Sequence, residues 1–132
     1  MKTLRFCLFL LSSYCFVIQL DAQIANGSTP PDWTATDLDG NVWDLSDMVN
    51  DGKHVIIDFA AAWCGLCWSY HQTDVIENLD NLYGPNGSDQ VRVFFIEADL
   101  STNTECLYGQ ANCNVSTFGN WVEGHDYPFI SI

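Results

Sequence analysis

Basic residues are nearly missing from this chain. Over 132 residues, four Lys and Arg face 17 Asp and Glu, giving a formal net charge of -13 at pH 7. A surface this acidic is repelled by phosphate backbones and by anionic headgroups, so nucleic acid is excluded as a partner. Internal repeats, low-complexity tracts and linkers are also lacking. The length then suits one modest domain with a single core.

A long apolar run occurs only at the start. Lys2 and Arg5 precede an apolar stretch from Phe6 to Leu20, and a small residue follows at Ala22. This is the order of a secretory signal; the run is at the short end for a membrane span and has no stop-transfer flank. Cleavage after Ala22 is expected, leaving no stable membrane insertion, and an uncleaved anchor is the competing reading. Tyr14 is bulky where a lipid-modified Cys15 would need a small neighbour. Residues 1–22 are therefore expected to be a signal peptide, 23–31 a flexible lead-in containing "IANGSTPP", and 32–132 the folded domain. The protein is expected in the periplasm or outside the cell.

Cleavage would remove Cys7 and Cys15 and leave Cys64, Cys67, Cys106 and Cys113. An even count in an exported chain favours disulfide chemistry. Only Lys53 and Arg92 would remain against sixteen acidic residues, a net charge of -14. The plain meaning of that charge is solubility.

The pattern of the domain is α/β. "DWTATDLDGNVWDL" alternates around a turn, where Asp39-Gly40 suits the positive φ angles of a hairpin. "KHVIIDFAA" is a near-continuous apolar run, as expected for a strand covered on both faces. From Cys64 the period changes: Trp68, Val75, Leu79 and Leu82 recur at helical spacing beside Ile76 and Tyr83, predicting one amphipathic helix. It should end at "YGPNGS", with Gly84 as a left-handed cap and Pro85 as the stop. "VRVFFIEAD" reads as a second buried strand, and strand, long crossover, strand implies a parallel, right-handed βαβ unit.

Within that unit, "DFAAAWCGLCW" places Cys64 and Cys67 at the turn from strand into helix. Cα atoms three residues apart on a helix are separated by roughly 5 Å, within the range of a disulfide. The spacing allows a redox couple, a structural staple or a metal site. Position favours the first, because a helix N-terminus stabilises a thiolate; Cys64 would be the nucleophile and Cys67, a turn deeper, the resolving thiol. His71 lies on the same helical face, so Cys64, Cys67 and His71 remain a candidate copper or zinc triplet.

"PPDWTATDLDGNVWDLSDM" followed by "GKHVIIDFAAAWCGLCW" resembles the thioredoxin-like envelope oxidoreductases of the TlpA and ResA type, within the redoxin superfamily. The likeness runs from about Pro31 to Asp99. It implies a thioredoxin-like fold with a central mixed sheet, an N-terminal hairpin and the βαβ unit. It also implies thiol-disulfide exchange with protein dithiols or disulfides, without a cofactor, and an envelope electron donor or acceptor. Cys64 matches the family's attacking cysteine, Cys67 the resolving one and Trp63 the tryptophan before the motif. Asp58 stands where thioredoxins keep a buried acid that exchanges protons with the resolving cysteine; burial would raise its pKa toward that task. A non-catalytic thioredoxin-like domain with a permanently closed pair is a further alternative.

The chain departs from the pattern twice. Gly65-Leu66 replaces the usual Gly-Pro between the cysteines, which frees the backbone at the helix start. After "HDYPFISI" nothing remains to build the family's C-terminal hairpin and helix, so an N-terminal fragment is expected, with Pro128 either the family's cis-proline or a proline preceding it. A peroxidatic Pro-x-x-x-Thr-x-x-Cys motif is absent from "FAAAWC", which argues against a peroxiredoxin.

In "ECLYGQANC", Cys106 and Cys113 are expected to form a local structural disulfide worth roughly 2.5 kcal/mol of loop-closure entropy. A second redox pair relaying to Cys64 is the sharper alternative. His54 and His125 have no partner visible in sequence. The sequons at Asn26, Asn86 and Asn114 read as chance matches.

Overall fold

In the computed structural model, residues 24–132 are described; the expected signal peptide lies outside them. Ile24–Pro31 is exposed and carries one turn, with Ser28 N–H donating to the Ala25 carbonyl at 3.0 Å. Asp32–Ile132 forms its own compact body. Among the described residues, no helix is long and apolar enough to cross a membrane.

The body opens with the expected hairpin, β1 (Thr34–Thr36) antiparallel to β2 (Val42–Asp44). Its turn is built differently from the sequence reading. Only Gly40 takes a positive φ, 86°, while Asp39 does not. Buried Asp37 organises the turn: one carboxylate oxygen accepts the Asp39 and Asn41 N–H groups at 3.0 and 2.8 Å, the other the Asn41 amide and the Trp43 indole N–H at 3.0 and 2.8 Å. Burial works against the Asp37 charge, but these donors outweigh it and hold the pKa below the ordinary value. Asp44 then caps α1 (Leu45–Asn50), accepting the Asp47 N–H.

Three strands make the main sheet: β3 (His54–Ala60), β4 (Val91–Glu97) and β5 (Phe129–Ser131), in the order β3-β4-β5. Both pairings are parallel, with His54 opposite Val91 and Ala60 opposite Glu97. The expected mixed sheet is therefore corrected: among the described residues the main sheet is purely parallel and the antiparallel hairpin is a separate one. The Tyr127–Pro128 bond is trans, so Pro128 is not a cis-proline; it leads into β5, its carbonyl accepting the Phe95 N–H at 3.0 Å.

Both faces of the central β4 are covered, which explains its apolar run, whereas β3, at the sheet edge, is mostly half-buried and leaves Phe59 62% exposed. On one face Phe94, Ile96 and Ile130 pack with Met48 of α1 and with Trp33, Ala35 and Trp43 of the hairpin. The Trp33 and Trp43 rings meet Phe94 edge-on at 5.4 and 5.2 Å. The other face carries Val93, Phe95, Phe129 and Ala60 against Trp121, Tyr127, Leu107 and the helices.

The single helix expected after Cys64 is two: α2 (Gly65–His71) and α3 (Val75–Tyr83). The break has a local cause. Thr73 turns its hydroxyl and its N–H back onto the Tyr70 carbonyl, at 2.6 and 2.9 Å, and Asp74 adopts a left-handed φ of 56°. The re-aimed α3 keeps Ile76 and Leu79 against the core but leaves Val75, Leu82 and Tyr83 half-exposed or more. Gly84 is extended rather than left-handed, at φ -78°; a Cβ there would lie 2.4 Å from the Asp80 carbonyl oxygen, so close approach explains the glycine.

Removing the turn acceptor tests this account of the hairpin. Asp37→Ala is expected to lower unfolding free energy by about 2 kcal/mol in urea titration, because it leaves the Trp43 indole unpaired, while Asp39→Ala on the exposed tip stays close to wild type. Equal behaviour of the two variants would contradict it.

Candidate active site

β3 delivers the chain to the site through three small residues. Ala60, Ala61 and Ala62 are all buried, Ala62 completely, where larger side chains would not fit without displacing the core. The ladder continues past the strand end, with Ala98 N–H on the Ala60 carbonyl at 2.8 Å. Glu97, the last residue of β4 and fully buried, then fixes the turn: Oε2 accepts the Ala62 N–H at 2.7 Å and Oε1 the Asp99 N–H at 3.0 Å. Burial raises the Glu97 pKa, partly offset by these two donors. Sequence reasoning missed this residue. Its signal was a carboxylate directly after the apolar run Val93–Ile96.

Beyond this lock Cys64 sits at the N-cap of α2, with extended backbone at φ -83° and ψ 100°, and the next residues turn helical. Cys64 and Cys67 are joined in a disulfide with Cα atoms 5.3 Å apart. The Cys67 N–H donates to Cys64 Sγ at 3.2 Å. Both cysteines border an open cavity of about 300 Å³ lined also by Phe59, Ala61 and Ala98, and Cys67, in the first turn of α2, packs in addition against the core. The two residues between the cysteines divide sharply. Gly65 lies under the Phe118 ring, where a Cβ would come within 2.9 Å of it, and Leu66 projects 87% exposed.

Trp63 is half-exposed at the rim, its indole N–H donating to Asp99 Oδ2 at 2.7 Å. Asp58 lies on β3 opposite Phe95, and strand alternation puts it on the face covered by α2 and α3. Burial raises its pKa, and its charge in turn helps raise that of Tyr127, whose own burial is the larger cause.

His71 is not a ligand waiting beside the cysteines. It is turned into the core, its Nε2 donating to the Trp121 carbonyl at 2.9 Å and its Nδ1 facing the Tyr127 hydroxyl at 3.4 Å. Its ring lies 4.2 Å from that of His125, which pairs with Glu77 at 3.2 Å. Among the described residues no group of three His, Cys, Asp or Glu side chains is arranged to hold a metal. The alternative triplet of Cys64, Cys67 and His71 is thus not assembled. His125, which the sequence left without a role, belongs to this buried cluster.

Cys106 and Cys113 form the second disulfide, Cα atoms 4.5 Å apart, with Cys106 fully buried. It closes a loop whose continuation brings Phe118 over Gly65 and Gly119 against Trp68. The Asn114 side chain, just past that loop, is also committed, donating to the Ser101 carbonyl at 2.6 Å.

The model of the family described as Redoxin matches residues 25–131. The chain belongs to the redoxin family. Solved structures share the fold of this redoxin. The thioredoxin domain of a thiol-disulfide oxidoreductase from Bacteroides vulgatus aligns with a TM-score of 0.58 at 20% identity, over 83% of this chain and 66% of that one. A Bacteroides thetaiotaomicron protein described as a disulfide isomerase aligns with a TM-score of 0.56 at 24% identity, over 80% and 57%. The redoxin thus spans a little under two thirds of the first of these and less of the second. No curated protein sequence matches it.

The buried histidine gives a pH test. Burial, and then the neighbouring His125, lowers the His71 pKa below its ordinary 6.5, while the Trp121 carbonyl and the Asp74 and Glu77 charges oppose the shift. The unfolded chain therefore binds the proton first, so the stability His71 contributes is full above about pH 6.5 and is lost as pH falls through the folded value. Relative to His71→Gln, the wild-type protein should lose unfolding free energy as pH falls below about 6.5. Parallel pH profiles for the two proteins would refute a neutral, buried His71.

Proposed function

We propose that this redoxin is an exported thiol-disulfide oxidoreductase that exchanges disulfides with protein substrates through Cys64 and Cys67. The observation that carries the reading is the closed cysteine pair at the strand-to-helix turn, with the Cys67 N–H on the Cys64 sulfur beside an open apolar cavity. The N–H that meets the sulfur in the disulfide would stabilise a thiolate on the same atom after reduction, which favours Cys64 as the nucleophile. Cys67, packed against the core, suits the resolving role.

In the oxidative direction for the protein, the Cys64 thiolate attacks one sulfur of a substrate disulfide, forming a mixed disulfide and expelling the other substrate sulfur as a thiolate. Cys67 then loses its proton, attacks Cys64 Sγ and releases the second substrate thiol, so two electrons pass to the substrate. Asp58 is the base we assign to that deprotonation, since a carboxylate with a pKa raised by burial is better matched to a thiol's proton. An electron donor or acceptor in the envelope would reset the pair. The N-terminal basic-apolar-small pattern supports export, and the second disulfide is compatible with an oxidising compartment.

Cys64→Ala should abolish reduction of insulin disulfides in the presence of dithiothreitol while leaving the fold largely intact; retained activity above the dithiothreitol background would refute the assignment. Asp58→Asn should slow release of the mixed disulfide about 100-fold near neutral pH. Acid-quenched trapping would then show the Cys64-linked intermediate accumulating. Resolution at the wild-type rate would remove Asp58 from the mechanism.

A further inference from the structure

The cavity beside the disulfide is apolar apart from one group. Phe59, Ala61 and Ala98 form its floor and Trp63 part of its rim, and the one charged side chain lining it is Asp99. Asp99 is held rigidly: Oδ1 accepts the Ser101 N–H and hydroxyl at 2.9 and 2.6 Å, and Oδ2 accepts the Trp63 indole N–H at 2.7 Å. The Ser101 donors, then Trp63, hold its pKa below the ordinary carboxylate value, so it is charged at neutral pH. Nothing basic offsets it. Lys53 and Arg92, the only Lys or Arg among the described residues, both pair with Asp89. Arg92 and Asp89 lie near the start of β4, at the opposite strand end from Glu97 and Asp99.

We propose that Asp99 sets the substrate preference of the Cys64–Cys67 centre, selecting disulfides flanked by cationic groups and rejecting anionic ones. The inference rests on the thiol-disulfide reading above. An incoming disulfide must bring its sulfur to Cys64, in a cavity that also exposes Cys67, Trp63 and Asp99. Its flanking groups then pass a fixed, solvent-facing carboxylate at the edge of the cavity, where charge complementarity acts on encounter and register and is screened by salt. The substrates favoured are protein segments with Lys or Arg next to the cysteine, and small anionic disulfides such as oxidised glutathione are disfavoured.

The test uses the dithiothreitol-reduced, desalted protein and three small disulfides of similar size: cystamine, doubly cationic; hydroxyethyl disulfide, neutral; and dithiodipropionate, doubly anionic. Each oxidises the protein by the same balanced exchange, consuming one disulfide and yielding two thiols for each Cys64–Cys67 bond formed. The rate ratio of cystamine to dithiodipropionate should be well above one, narrow with added salt, and fall at least about fivefold in Asp99→Asn. Because the amide introduced by Asp99→Asn keeps only one acceptor oxygen, Trp63→Phe is the companion variant: it removes the indole N–H, leaves the carboxylate, and should retain the charge order.

A ratio unchanged in Asp99→Asn would overturn the inference, since the preference would then belong to the whole acidic chain. Loss of the preference in Trp63→Phe but not in Asp99→Asn would overturn it as well. No exchange with any of the three reagents would overturn the thiol-disulfide reading itself, and this inference with it.

Discussion

The site depends on the parallel pairing of β3 with β4 and on the carboxylate that ends it. In that register Ala60 stands opposite Glu97, and Glu97 reaches across to the N–H of Ala62. A buried carboxylate without donors would carry a desolvation cost of several kcal/mol. Supplied with the Ala62 and Asp99 N–H groups, it instead ties two turns together, the one leading to Cys64 and the one carrying Asp99. This one lock thereby fixes the approach to the cysteine pair and the turn that sets Asp99 beside Trp63 at the cavity edge.

Exposure is left where exchange needs it. Leu66 makes its excursion into solvent, and Trp63 is held at the rim chiefly through its indole N–H. The second disulfide has the opposite character. Cys106 is fully buried, and the segment that follows the loop it closes carries Phe118 onto Gly65. That contact gives a reason for glycine at the first position between the cysteines that does not depend on the proline usually found beside it.

Much of this was legible in the sequence, because the strongest signals were local and chemical. The two apolar runs became β3 and β4, the turn signals became a hairpin, and cysteines three residues apart at a strand end became a disulfide at a helix N-cap. What was not legible depended on tertiary placement. Helical periodicity passes smoothly through Gln72–Asp74, and only the return of Thr73 onto Tyr70 reveals the break. His71 looked like a neighbour of the cysteines by spacing, yet burial against Trp121 and Tyr127 decides its direction. Glu97 and Asp99 carried no motif, and their roles come from contacts made 35 and 36 residues away in sequence.

The central claim is that the Cys64–Cys67 bond is a reversible couple and Cys106–Cys113 a structural one. The most direct test is to equilibrate the protein in dithiothreitol and glutathione buffers across a range of potentials, alkylate the free thiols, and map them by mass spectrometry. The account predicts that Cys64 and Cys67 open together, with a midpoint between about -120 and -270 mV, while Cys106 and Cys113 stay joined there and open only in more reducing buffer. If Cys106–Cys113 opens first, or if Cys64–Cys67 stays closed throughout that range, the pair is a staple and the redox account is wrong.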